Sequence, residues 1–223
     1  TGELSMAFSF HHLKVDFVGN EKWALVPFDF HKLKDILFSW QTGMSDHNAW
    51  NAVFWCNHDQ PRVVSRFGDE GEYWKPSAKM LGTVIHCLRG TPYVYQGEEI
   101  GMTNAGFTSL DQYRDVESIN HFHILRDRGL HEDSAYDILR VHSRDNSRTP
   151  MQWDASEGGG FSEAEPWISM NPNHKTINAA SQVDDPGSIF AHYRKLIALR
   201  KQYDVIANGD FAPLDMEHPS VLA

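Results

Sequence analysis

The sequence predicts an α/β fold with a parallel sheet, and three observations carry that prediction. Short apolar runs of strand length recur through the first half of the chain. Each is followed by a polar loop and then by a stretch whose apolar residues fall at three- and four-residue steps, the period of an amphipathic helix. In each repeat the chemistry-bearing side chains come just after the strand, the end at which parallel α/β proteins place their sites.

The elements follow in order. Leu4 to Phe10 reads as a mostly buried strand that opens into His11-His12-Leu13-Lys14-Val15-Asp16 and a Gly19-Asn20 turn. A helix is predicted from Asp29 to Gln41, with Phe30, Leu33, Leu37 and Trp40 on one face. Asp29 caps its start and Gly43 follows its end. Ala52 to Cys56 is a second strand, broken by Asn57-His58-Asp59-Gln60-Pro61-Arg62. The next helix spans about Ser77 to Leu88, with Pro76 near its first turn and Gly90 at its end. Thr91 to Tyr95 is a third strand, leading into Gln96-Gly97-Glu98-Glu99. After Gly101 two helical patterns, Asp115 to Arg128 and Ser134 to Arg144, surround irregular chain. A Gly158-Gly159-Gly160 loop and a last helix from Ser188 to Lys201 precede a tail that reads as the beginning of strands.

Composition bounds the function. With 223 residues, 41% hydrophobic and 22% charged, the chain suffices for one core, or one domain plus a piece of another. No apolar run approaches the ~18 residues of a membrane span. A formal net charge of −10 repels a phosphate backbone, so nucleic acid is excluded as a general partner. The opening TGELSMAFSF lacks the basic start and small-residue cleavage site of a signal peptide, which points to the cytoplasm. Cys56 and Cys87 sit in apolar runs, as core thiols do, and neither belongs to a metal-ligand spacing. No cofactor and no metal are predicted.

Several side chains are candidates for chemistry. Asp59 and His58 stand at a strand exit, where a carboxylate can hold sugar hydroxyls or stabilise a developing oxocarbenium ion and an imidazole can donate one hydrogen bond. The same residues also suit a capped turn. Lys14 and Lys22 flank the turn after the first strand and can meet a phosphoryl group as point charges, or remain surface lysines beside Asp16 and Glu21. Arg148 lies in a charged turn, where it can hold a substrate oxygen or a carboxylate, or tie the loop to Asp145 or Asp154. Trp153, Phe161 and Trp167 suit sugar stacking but more often belong to a core. Glu98 and Glu99 are adjacent, so their side chains point apart and make a poor acid/base pair.

Longer motifs carry a resemblance. Trp55-Cys56-Asn57-His58-Asp59-Gln60-Pro61-Arg62 resembles the strand-seven signature of the α-glucosidase branch of the α-amylase clan of glycoside hydrolases. The stretch from Gly90 to Met102 (GTPYVYQGEEIGM) resembles its strand eight, and Ser143 to Asp154 (SRDNSRTPMQWD) the segment that follows. Within that branch, Phe10 to Asp16 with Glu21-Lys22-Trp23 is similar to the phosphotrehalase pattern, whereas oligo-1,6-glucosidases tend to carry acidic residues at the positions of His11 and Lys14.

The resemblance implies the C-terminal portion of a (β/α)8 TIM barrel over residues 1–202 and the start of a C-terminal β domain over 203–223. It implies a retaining hydrolase acting on a phosphorylated disaccharide, trehalose 6-phosphate, to give glucose and glucose 6-phosphate. Asp59 would be the carboxylate that stabilises the transition state, and His58 and Arg148 would be substrate contacts. Lys14 and Lys22 would be phosphate contacts. An oligo-1,6-glucosidase or other α-glucosidase, and a non-catalytic sugar-binding module, are the alternatives. No stretch resembles the family's nucleophilic Asp or its acid/base Glu, and a full barrel needs roughly 250 residues. The chain by itself is therefore expected to be inactive, with an unpaired sheet edge that favours self-association.

Overall fold

The structure, a computed structural model, describes residues 3–223. Three strands and seven α-helices follow in this order along the described chain: β1 (Ala7–Phe8), α1 (Phe30–Asp46), β2 (Asn51–Phe54), α2 (Val63–Phe67), α3 (Trp74–Cys87), β3 (Thr91–Tyr93), α4 (Val116–Asp127), α5 (Glu132–His142), α6 (Ile189–Gln202) and α7 (Asp204–Asn208). The chain divides into two compact units. One holds the residues up to Trp55 with Thr83–Tyr93 and Leu196–Ala223; the other holds Cys56–Gly82 and Val94–Lys195.

The first unit is built on the sheet. Its order is β1-β2-β3 and both pairings are parallel, with Ala7 opposite Asn51 and Phe54 opposite Tyr93. The α/β class with a parallel sheet is therefore what the structure shows. Phe8, Phe10, Phe54 and Tyr93 form an aromatic cluster on it, with ring centroids 4.9–5.5 Å apart for Phe8–Tyr93, Phe10–Phe54 and Phe8–Phe54. Buried Leu33 and Phe38 face inward from α1. Gln41 of the same helix is buried and exchanges hydrogen bonds with the backbone of Arg89, donating at 3.0 Å and accepting at 2.9 Å. Lys34 is fully buried because its ammonium donates to the carbonyls of Asp215 and His218 at 3.0 and 2.9 Å, which anchors the tail.

Several expectations are corrected. The first strand is two residues long, and Leu4 and Phe8 are exposed, because β1 is an edge that pairs only with β2. Gly43 lies inside α1 rather than beyond it. The helix continues to Asp46, and Asn48, at φ 50°, takes the left-handed conformation just past its end. Asp29 does cap α1, accepting from the Lys32 amide at 2.9 Å. Residues 203–223, expected to begin strands, hold α7 and then irregular chain. Cys56 is buried as predicted, but Cys87 is exposed at the end of α3.

In the second unit, α4 and α5 pack as a helix pair of similar length joined by the short Arg128–His131 connection. The stretch from Ser143 to Pro150 is almost entirely buried. Among the described residues no helix is long and apolar enough to cross a membrane, and no cluster of three potential metal ligands occurs.

Candidate active site

The polar segment after β2 is shaped by its own side chains. Asn57 Oδ1 accepts from the Asp59 amide at 2.8 Å, and the Asn57 carbonyl accepts from Gln60 N at 3.2 Å. This tight Asx turn directs the Asp59 carboxylate outward, leaving its side chain 44% exposed. A second segment meets it. Ser143 accepts from the Asp145 amide at 3.2 Å and starts a 3-10 turn over Arg144–Ser147, which Arg148 closes by donating its amide to Asp145 O at 3.0 Å. Ser147 Oγ donates to Gln60 O at 2.5 Å, fastening the two segments together.

That turn brings Arg148 onto the predicted carboxylate. Arg148 Nη2 donates to Asp59 Oδ1 at 2.7 Å, and Arg148 Nε donates to the His58 carbonyl at 2.9 Å. One guanidinium therefore fixes both the side chain and the backbone of the His58–Asp59 pair, a two-point grip that an ammonium cannot copy. The His58 ring is 72% exposed, with Nε2 at 3.4 Å from Asp59 Oδ2. Asp59, His58 and Arg148 are thus brought together in the second unit. Lys14 and Lys22 belong to the first unit. Lys14 is exposed at the end of a 3-10 turn, His11–Lys14, and Lys22 lies over its neighbour Trp23 at 4.5 Å. His11 is exposed beside Trp40, whereas His12 is buried against Phe54 and Trp55.

Sequence reading missed Asp115 and Arg144 and saw Asp145 only as a possible tie for Arg148. Asp115, only 3% exposed, caps α4 by accepting from Ser118 N and Ser118 Oγ at 3.1 and 2.9 Å. It also receives Arg144, whose Nη2 and Nε stand 2.8 and 3.3 Å from its two oxygens. Burial alone would raise the Asp115 carboxyl, but the Arg144 and Ser118 hydrogen bonds and the Arg144 charge outweigh it and hold it below the usual range. Arg144 in turn is held protonated above its ordinary value, since Asp115, Glu117 and Asp59 together overcome its partial burial. Asp145, fully buried, accepts from the amides of Arg114 and Asp115 at 2.7 and 2.8 Å. The only sequence signal was the four-residue spacing of Arg144 and Arg148 after a capping serine.

Glu98 and Glu99 do not form an acid/base pair. Glu99 Oε2 accepts from Gly97 N at 2.8 Å, and Glu98 is buried with neither oxygen hydrogen-bonded among the described residues. Burial pushes the Glu98 carboxyl well above the ordinary range, with Arg62 opposing and Glu99 reinforcing. A carboxyl with a raised folded pKa costs nothing at acid pH. Its cost grows as pH rises through the ordinary carboxylate range toward the folded value. Glu98→Gln is therefore expected to raise the melting temperature near pH 8 and leave it unchanged near pH 4. A gain of equal size at both pH values would refute a burial penalty on the charged form.

Trp153, Phe161 and Trp167, weighed as core residues, are all more than half exposed. Trp153 is tied to the glycine loop, where Trp153 N and Asp154 N both donate to Gly159 O.

Comparisons with known proteins place the chain in a family. The family described as "Alpha amylase, catalytic domain" matches residues 1–209. The chain is 56% identical over 221 residues to the trehalose-6-phosphate hydrolase of Bacillus subtilis strain 168, covering 99% of this chain and 39% of that protein. It is 46% identical over 222 residues to the oligo-1,6-glucosidase of Bacillus cereus, covering 99% of this chain and 40% of that protein. The crystal structure of Bacillus licheniformis trehalose-6-phosphate hydrolase superposes with a TM-score of 0.94 at 55% identity, over 96% of this chain and 39% of that one. The chain thus spans about two fifths of the length of the relatives it matches. On its sequence match, its parallel α/β architecture and its likeness to that structure, the chain belongs to the alpha-amylase catalytic-domain family.

Proposed function

We propose that this chain is part of a retaining glycoside hydrolase of the α,α-phosphotrehalase type, which cleaves trehalose 6-phosphate into glucose and glucose 6-phosphate. The observation that carries the reading is the Asp59 carboxylate, partly exposed and held at 2.7 Å by Arg148. An oxocarbenium-like transition state needs a fixed negative charge beside it, and a carboxylate oriented by a two-point arginine is preorganised for that task. In this reading Asp59 stabilises the transition state, His58 holds hydroxyls of the same glucose unit, and Arg148 belongs to the binding site near the scissile bond. Lys14 and Lys22 supply the charge that receives the phosphoryl group. The chain forms the C-terminal part of a (β/α)8 barrel. The nucleophile and the acid/base carboxyl, which must stand about 5 Å apart in a retaining enzyme, belong to the part of the relatives that this chain does not match. This chain alone is then inactive. A charged phosphate ester does not cross a bilayer unaided, so an enzyme that consumes it works in the cytoplasm.

The substrate choice rests on the lysines and on the higher identity to trehalose-6-phosphate hydrolases, 56% against 46% for an oligo-1,6-glucosidase. Replacing Lys14 and Lys22 together with Ala in the full-length enzyme is expected to lower kcat/KM for trehalose 6-phosphate about 100-fold. Turnover of neutral 4-nitrophenyl α-glucoside should stay within about threefold. Equal losses on both substrates would refute the phosphate role and favour the oligo-1,6-glucosidase reading.

A further inference from the structure

We propose that Asp115 is a positioning residue for the Asp59–Arg148 pair, acting through Arg148 and Arg144; the inference rests on the glycoside-hydrolase reading above. Two arginines converge on one oxygen of Asp59. Arg148 Nη2 is at 2.7 Å from Oδ1 and Arg144 Nη1 at 3.6 Å from the same atom. Left to themselves, two like-charged guanidinium groups repel and swing toward solvent. Asp115 stands between them, with Oδ1 at 2.8 Å from Arg144 Nη2 and 3.6 Å from Arg148 Nη1. Its charge offsets their repulsion, and its burial makes that charge act through a medium of low polarity.

Asp115 is itself held by several hydrogen bonds. Its Oδ2 accepts both Ser118 donors at the start of α4, and its backbone amide is held by buried Asp145. Glu117 Oε2 takes the outer side of Arg144 at 3.1 Å. A rigid helix start is thereby linked through two arginines to the carboxylate that faces the reacting sugar. With Oδ1 occupied by the arginines, Oδ2 is the oxygen turned toward His58 and left for substrate. Displacing such a carboxylate by a fraction of an ångström raises the transition state more than the ground state, so the effect falls on kcat.

The cap and the positioning role separate by mutation. Asn is as good a helix cap as Asp, so Asp115→Asn keeps the cap and removes the charge between the arginines. Ser118→Ala keeps the backbone cap bond and the charge and removes the buried hydroxyl donor to Oδ2. The experiment uses the full-length enzyme with 4-nitrophenyl α-D-glucopyranoside, whose glucosyl transfer does not depend on a phosphate. Asp115→Asn is expected to lower kcat about 30-fold with KM within about threefold, assayed well below a melting temperature that itself falls because Arg144 loses its buried counter-charge. Arg144→Ala should lose a similar factor and recover part of it on addition of guanidinium. Ser118→Ala should lower the melting temperature and keep kcat within about twofold. Asp115→Asn retaining kcat within about threefold, or Ser118→Ala losing as much kcat as Asp115→Asn, overturns the inference. Trehalose 6-phosphate is assayed in parallel. A wild-type enzyme that cleaves the nitrophenyl glucoside but not trehalose 6-phosphate refutes the substrate reading, while the Asp115 variants still decide the positioning role. One that cleaves neither overturns both.

Discussion

Asp59→Asn in the full-length enzyme is expected to lower kcat/KM about 1,000-fold on any α-glucoside it accepts, with almost no change in melting temperature. The carboxylate is 44% exposed and packs no core, so folding does not depend on it. Its charge matters at the moment when positive charge develops on the sugar ring, and an amide has none to offer. The substitution keeps an amide oxygen that can still accept from Arg148 but removes the charge that the guanidinium meets at 2.7 Å, leaving Asp115 at 3.6 Å and Asp145 at 3.9 Å as its carboxylate neighbours. Arg148→Lys should share part of the defect, because Nε and Nη2 reach two different oxygens and one ammonium cannot replace that fork. The check is steady-state kinetics beside thermal melting. Activity within about tenfold of wild type would remove Asp59 from the chemistry.

Arg62→Ala is expected to cost about 3–5 kcal/mol of stability. Arg62 is 1% exposed, which burial makes costly for a cation and which lowers its pKa. It is retained because its donors are met by carbonyls, Nη1 to Gln96 O at 2.6 Å and Nε to Asn146 O at 3.2 Å, with the Tyr95 ring 5.5 Å away. Removing it leaves buried carbonyls without donors and opens a cavity beside Gly97. Gly97 takes φ 94°, and a side chain there would overlap Met102 Sδ and crowd Arg62 Nη1. The arginine thus joins the segment after β2, the Gln96–Gly97 corner and the turn that carries Arg144 and Arg148. Arg62→Lys should recover little, since a single ammonium cannot span those acceptors. A melting temperature within about 2 °C of the parent for Arg62→Ala would contradict a bracing role for the guanidinium.

Much of this could be read from the sequence, because it depends on local rules. The βα alternation announced a parallel sheet through hydrophobic period and spacing, and Asp29 announced its helix as a cap. The strand exit at Asn57-His58-Asp59 was legible because consecutive polar residues after an apolar run mark the point where a buried chain returns to solvent. Where two local signals competed, packing decided. Gly43 looked like a helix end, yet α1 runs on to Asp46, so a glycine penalty of ~1 kcal/mol does not stop a helix already anchored by buried Leu33, Phe38 and Gln41. Trp153, Phe161 and Trp167 looked like core side chains and are exposed. Residue type sets only a preference for burial, and the fold sets the available surface.

The sequence by itself determined the class of the fold and named Asp59, His58 and Arg148 as candidates. Those follow from periodicity and from motif order. Only the tertiary structure decided which arginine meets Asp59, that Asp115 stands between Arg148 and Arg144, and that Glu98 is buried while Glu99 caps a turn. The reason is physical. Asp59, Asp115 and Arg148 are separated by dozens of residues in the chain, and a charge pair is specified by distance and burial, neither of which is written in residue spacing.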